Sequence, residues 1–217
     1  MEMLIDIAAL RQNYALHTLS ESDVAPDPFE QFRIWFHEAV NSQLPEPNAF
    51  VLATAGADGR PGARTVLLKE FTRDGFVFYT NYGSRKGQEL IENPHAAMLF
   101  TWLELQRQIR IEGVVEKVGA AESLAYFQSR PRTSQIGAWA SQQSAVASSR
   151  EEIELRQKEV EARFEGFEVL PLPPFWGGYR LRPDHFEYWQ GRESRLHDRV
   201  VYRKSDDNSW DISRLMP

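Results

Sequence analysis

The sequence predicts a mainly β fold with inserted α-helices, a small antiparallel barrel decorated by helices. Three observations carry this. Roughly eight short runs rich in β-branched and aromatic residues recur along the chain. The segments between several of them, AGADGRPG and TRDG among them, are short turns that favour hairpins over crossover helices. Helical patterns stand between groups of strands, and no internal repeat is visible.

Each element has a local cause. Asp27 before Pro28, with Glu30 three places after the cap, marks a helix start. Phe29, Phe32, Phe36, Ala39 and Val40 then share one helical face, and the two prolines of LPEPN (44–48) stop it. Strands are expected at AFVLATA (49–55), ARTVLLKEF (63–71) and GFVFYTN (75–81), followed by a short helix, SRKGQELIEN. HAAMLFTWL and QRQIRIEGVVEKV read as strands and AAESLAYFQSR as a helix. AWASQQSAVASS (138–149), with its small polar residues, suits a loop. SREEIELRQKEVEARF is a charged amphipathic helix whose acidic first turn suits its dipole. After the break LPLPPF come strands at FWGGYRLRP, HFEYWQ and LHDRVVYRK, and a last short one near Trp210.

Composition bounds the function. At 217 residues, 42% apolar and 12% aromatic, the chain can bury a sizeable core as one domain, with or without appendages. A net charge of -6 argues against a general binder of nucleic acid or anionic membrane, which needs an excess of Lys and Arg. There is no cysteine, hence no disulfide, thiolate ligand or thiol nucleophile. The N-terminal stretch MEMLIDIAAL is acidic where an export signal is basic, and no apolar run is long enough to cross a bilayer. A cytoplasmic protein is expected.

The cations are gathered locally. In QGRESRLHDRVVYRK (190–204), Arg195, His197 and Arg199 occupy alternate positions; in a strand they share one face, with Leu196 and Asp198 on the other. Such a face needs an anion opposite it. ARTVLLKEF carries Arg64 and Lys69 around an apolar middle; their odd separation puts them on opposite faces unless a bulge or the strand's end intervenes. Charges snorkelling at strand ends would look the same.

NYGSRKGQEL puts Ser84, Arg85 and Lys86 at a helix start, where the dipole disfavours cations but favours a phosphate. In AYFQSRPRTSQIGAW, Tyr126 and Arg130 are four apart on a helix and Ser134 follows in the turn after Pro131. This is either a second phosphate cradle or a helix C-terminus complemented by an arginine. The five histidines show no metal-binding spacing, and no nucleophile elbow or dinucleotide loop is present. Trp102, Trp139 and Trp189 lie beside polar motif residues and could flank a planar ring.

Taken together, RTVLLK, FYTNYGSRK, QQS, SRPRTSQIGAWAS, FWGGYR and above all WQGRESRLHDR resemble the pyridoxine (pyridoxamine) 5′-phosphate oxidase family, in order over residues 11 to 217. The resemblance implies an FMN-binding split barrel with flanking helices, spanning residues 26–217. It implies a homodimer with FMN at its interface, and a mobile N-terminal lid over residues 1–25. The implied reaction oxidises pyridoxamine or pyridoxine 5′-phosphate to pyridoxal 5′-phosphate with O2, giving H2O2. By the same resemblance, FMN contacts fall to Arg64, Thr65, Val66, Leu67, Leu68, Lys69, Tyr79, Thr80, Arg85, Lys86, Gln108, Gln143, Ser144, Trp189 and Arg199. The substrate phosphate falls to Lys69, Tyr126, Arg130 and Ser134. Arg195, Leu196 and His197 fall to the substrate, with Arg195 and His197 catalytic, and Arg11 and Tyr14 belong to the lid. Glu46 stands where the family pattern has an aspartate, so it receives no role. Two other classes share part of this pattern: a split-barrel flavin reductase, and a non-catalytic protein that binds FMN or pyridoxal phosphate.

Overall fold

Asp27 caps the first helix as its place before Pro28 predicts, its carboxylate accepting the Phe29 N–H at 2.9 Å. The computed structural model describes residues 6, 10 and 12–217. In chain order these form α1 (Pro28–Asn41), β1 (Ala49–Ala55), β2 (Pro61–Leu67), β3 (Glu70–Thr72), β4 (Gly75–Asn81), α2 (Arg85–Glu92), β5 (His95–Trp102) and β6 (Arg107–Lys117). Then follow α3 (Ala120–Ser129), α4 (Arg132–Ala140), α5 (Arg150–Arg163), β7 (Trp176–Gln190), β8 (Asp198–Lys204) and β9 (Trp210–Arg214). The fold is mainly β, as expected, and the strands join in the order β2-β1-β5-β6-β7-β4-β3, with β8 on β7 and β9 on β8. No helix of the described residues is long and apolar enough to cross a membrane.

The chain divides into two compact units: residues 1–47, 100–110 and 185–217 form the first, residues 48–99 and 111–184 the second. In the first, α1 buries Phe32 and Trp35, Phe32 meeting Phe100 edge-on at 5.2 Å and Trp35 meeting Tyr188 at 5.3 Å. The Tyr188 and Tyr202 hydroxyls, carried inward on β7 and β8, donate to the Pro28 and Ala25 carbonyls at 2.6 Å each. In the second, antiparallel pairing of β1 with β2 sets Ala49 opposite Leu67, and β4 pairs with the first part of β7. Phe50, Phe76, Phe78, Met98 and Leu181 fill its core, while Phe127, Ile136, Phe164 and Trp176 form a cluster under the helices.

Several expectations change. The buried face of α1 is Pro28, Gln31, Phe32, Trp35 and Ala39, and Val40 is exposed. ARTVLLKEF is two strands: β2 stops at Leu67, the Leu68 N–H pairs with the Asn48 carbonyl, and the Lys69 N–H turns to Val77. The predicted loop begins later, because α4 runs on through Ala138–Ala140 and contains Ser134. Helix α5 fully buries none of its residues, and Val160 packs partly buried against the cluster of Phe127, Ile136 and Phe164. FWGGYRLRP and HFEYWQ form one strand, β7, with Pro183 inside it.

The largest departure concerns Arg195. It lies in a 3-10 turn, Glu193–Arg195, ahead of β8, with Ser194 and Arg195 both in the left-handed region at φ 55° and 61°. Arg195, His197 and Arg199 therefore do not form the face of a regular strand, since two left-handed residues in succession break its period-two alternation.

Candidate functional site

In the second unit a cleft of about 650 Å³ opens between β2, β4 and the α3–α4 connection. The hop of the chain from β1 to β4 decides who lines it. Thr65, Val66, Leu67 and Lys69 all line one wall, whereas a continuous strand would put Thr65, Leu67 and Lys69 on one face and turn Val66 to the other. Leu68 between them is buried, 5% exposed, and belongs to the core.

Ser84 caps α2 by accepting the Gly87 N–H, which brings Lys86 back over β4. The Lys86 Nζ reaches Gln143 Oε1 at 2.9 Å and Thr80 Oγ1 at 3.3 Å, and Thr80 also donates to Gln143. Burial, assisted by the nearby Arg64 charge, lowers the Lys86 pKa. The Ser144 hydroxyl accepts the Arg85 N–H at 3.1 Å. Thus Thr80, Arg85, Lys86, Gln143 and Ser144, distant in sequence, are brought together.

Across the cleft, Tyr126 stacks on Tyr79 with centroids 3.9 Å apart, and Arg130 lies 4.8 Å over the Trp176 ring. Burial, with the Glu122 charge adding to it, pushes the Tyr79 hydroxyl up to about 12. Arg130 is not a helical residue: Pro131 forces the residue before it into extended backbone, here φ −75° and ψ 151°. Its Nη1 is buried with no hydrogen-bond partner among the described residues, and burial lowers its pKa. A buried guanidinium nitrogen without an acceptor is costly, and a bound anion relieves it. With Lys69 and Ser134 on the same cleft, this donor set fits a phosphate.

The first unit holds the remaining predicted residues. Trp189 and His197 face each other with ring centroids 4.6 Å apart, and Tyr14 closes on both at 6.0 and 5.9 Å. Gly191 makes room for Tyr14: a Cβ there would lie 2.9 Å from its ring. The segment is held by Gln106, whose Oε1 accepts the Ala15 N–H at 3.0 Å. His197 Nδ1 accepts the Arg192 N–H at 3.1 Å, and burial followed by the Arg195 charge lowers its pKa. Arg195 and Leu196 are exposed.

Arg199 is engaged by protein groups, its Nε donating to the buried Glu187 at 2.6 Å and its Nη1 to the Met216 carbonyl at 2.9 Å. Gln108 is half-buried on β6. Arg11 lies outside the described residues.

Trp102 and Trp139 are packing residues, their indole N–H groups spent on the Pro47 and Pro171 carbonyls. The tryptophan on the cleft is Trp176, passed over although it stands in FWGGYR. Glu89, Glu187 and Asp198, the carboxylates that anchor these arginines, were also missed; Glu89 does stand four residues after Arg85 on α2, but no linear spacing marks the pairing of Glu89 with Arg64, of Glu187 with Arg199 or of Asp198 with Arg214. Among the described residues no cluster of His, Cys, Asp and Glu could hold a metal.

Comparison with known proteins bears on this site. The profile described as "Pyridoxamine 5'-phosphate oxidase" matches residues 36–164. The chain belongs to the pyridoxine/pyridoxamine 5′-phosphate oxidase family. Residues 176–217 match "Pyridoxine 5'-phosphate oxidase C-terminal dimerisation region". The pyridoxine/pyridoxamine 5′-phosphate oxidase of Cupriavidus metallidurans is 57% identical, covering 99% of this chain and 100% of that protein. That of Rubrobacter xylanophilus is 57% identical, covering 98% and 97%. Among solved structures, PhzG from Burkholderia lata, in complex with tetrahydrophenazine-1-carboxylic acid, is 32% identical with a TM-score of 0.85, over 93% of this chain and 99% of that one. A pyridoxamine 5′-phosphate oxidase-related, FMN-binding protein from Nostoc punctiforme shares the fold at TM-score 0.67 and 17% identity, over 89% and 100%. The fold is the split barrel of this oxidase family.

Proposed function

We propose that this oxidase converts pyridoxamine 5′-phosphate or pyridoxine 5′-phosphate to pyridoxal 5′-phosphate, using FMN and O2 and releasing H2O2, as a homodimer. The observation that carries the reading is Arg130: a buried Nη1 with no acceptor among the described residues, in one cleft with Lys69, Tyr126 and Ser134. Identity to the named oxidases, 57%, against 32% to PhzG, favours the phosphorylated vitamers over a phenazine substrate.

Bound FMN supplies the two-electron acceptor and the route to O2. The chain supplies placement. Arg64, Arg85 and Lys86, with Thr80, Gln143 and Ser144, hold the cofactor phosphate. Lys69, Tyr126, Arg130 and Ser134 hold the substrate phosphate, a group that does not react, so its binding free energy is spent on orientation. Arg195 and His197 act on the substrate ring, and Tyr14 shields it from water. The substrate loses two electrons and two protons, which O2 takes up as H2O2; with the amine, water then displaces ammonia.

Anaerobic mixing of the yellow protein with pyridoxamine 5′-phosphate tests this directly. Bleaching of the flavin, followed in air by pyridoxal 5′-phosphate and peroxide over many turnovers, is expected. A flavin that bleaches only with a nicotinamide donor would make the protein a reductase, and binding without peroxide would make it a carrier.

A further inference from the structure

Helix α2 carries a buried carboxylate in the middle of a cationic cluster. Glu89 is 8% exposed. Its Oε2 accepts from Thr54 Oγ1 at 2.5 Å and from Arg64 Nη2 at 3.1 Å, and its Oε1 accepts from Arg85 Nε at 2.7 Å. Arg64 Nη1 donates in turn to Thr54 Oγ1 and to the Leu52 carbonyl. Two guanidinium groups from different elements, β2 and α2, are thus tied to one carboxylate that is itself anchored on β1. Burial by itself would raise the Glu89 pKa, but Thr54, Arg85 and Arg64 outweigh it and hold the carboxyl below its ordinary value.

Helix stability does not ask for this arrangement. An arginine in the first turn opposes the helix dipole, and Arg followed by Glu four residues later is the weaker orientation of such a pair. The backbone has also made way for it. A Cβ on Gly62 would lie 2.6 Å from Arg64 Nη2 and 3.1 Å from both Glu89 oxygens. Arg64, Arg85 and Lys86 bring three positive charges and Glu89 removes one, so two remain, equal and opposite to a phosphomonoester dianion. With its Nε fixed on Glu89, the Arg85 side chain is still 63% exposed, so its terminal nitrogens are accessible to a ligand.

We infer that Glu89 is a positioning residue for the cofactor phosphate: it orients Arg64 and Arg85 through their contacts with it, without touching the ligand. This rests on the reading above that these cations hold the FMN phosphate. A guanidinium fixed in orientation loses less freedom when it binds an anion, so the carboxylate strengthens phosphate binding although its own charge repels the ligand.

The test is fluorescence titration of the full-length apoprotein with FMN and with riboflavin, which lacks the phosphate. Glu89→Gln, close to isosteric, should lower the FMN-over-riboflavin preference at least about tenfold, a loss near 1.4 kcal/mol, while the riboflavin Kd stays within about twofold. Thr54→Val, which frees the carboxylate from its anchor, should shift the preference in the same direction by less. A preference that is unchanged in Glu89→Gln, whether both constants move together or neither moves, overturns the inference, and so does one that rises. An unmodified protein with no preference for FMN over riboflavin would instead refute the placement of the cofactor phosphate on these cations.

Discussion

The backbone N–H of Arg192 donates to Nδ1 of His197 at 3.1 Å, so the neutral imidazole carries its proton on Nε2. Burial and the Arg195 charge both disfavour the imidazolium. His197 is therefore a hydrogen-bond donor through Nε2 at neutral pH. His197→Leu should lower kcat/KM by roughly ten- to a hundredfold, the loss of one buried donor contact, and His197→Gln, whose amide nitrogen sits near Nε2, should recover part of it. The pH profile of kcat/KM should show its acid limb below the ordinary histidine value of 6.5; a limb at or above that value would contradict the assignment.

Tyr14 occupies the space that a side chain at position 191 would need. Gly191→Ala should push the Tyr14 ring off Trp189 and His197. We expect a several-fold higher KM and faster chymotrypsin cleavage after Tyr14, with the thermal midpoint within a few degrees of the unmodified protein. Unchanged cleavage would mean that Tyr14 does not need this contact.

Arg130 is held partly desolvated before any ligand arrives. Arg130→Met keeps the packing on Trp176 but removes the donor, so affinity for pyridoxal 5′-phosphate should fall by about 1.5–3 kcal/mol, the usual worth of a hydrogen bond to a charged group. Thermal stability without ligand should hold or rise, because a partly desolvated guanidinium whose Nη1 has no acceptor among the described residues has been deleted. Calorimetric titration and a melting curve read the two effects separately.

Asp198 joins three separate segments: it accepts from the Leu19 N–H at 3.0 Å, Arg192 Nη1 at 2.8 Å and Arg214 Nη1 at 2.7 Å. Burial would raise its pKa, but these donors prevail and hold it below the ordinary 3.8. A carboxyl depressed on folding stabilises the protein fully above its unfolded pKa and loses that contribution as pH falls through the lower, folded value. Asp198→Asn should cost about 2–3 kcal/mol at pH 7, less than a fully buried pair because both arginines are partly exposed. Urea midpoints measured from pH 6 to pH 3 should fall more steeply in the unmodified protein than in the variant.

Much of the fold is legible along the chain. The Asp27 cap, the acidic first turn of SREEIELRQKEVEARF, the strand-like run AFVLATA and the turn at TRDG act over a few residues, and the helices and strands they announce are present. The break inside ARTVLLKEF is not, because every residue from Val66 to Leu68 suits a strand; what stops it is the offer of new partners at Asn48 and Val77. Pro183 reads as a strand end, yet β7 continues through it. Helix α4 hides behind Gly137 and the small polar residues that follow it.

The site divides the same way. Its residue types, the arginines, lysines and hydroxyls of SRK, SRPRTS and RLHDR, are written in the sequence, and so is the family they match. Their arrangement is not. That Arg195 stands in a left-handed turn between β7 and β8, that Arg199 is bound to Glu187 on the paired strand, and that Arg64 meets Glu89 on α2 are seen only in the folded chain. Side-chain chemistry and local backbone preference act within a turn of chain, whereas ion pairs and strand ends depend on which distant residue folding brings within about 3 Å.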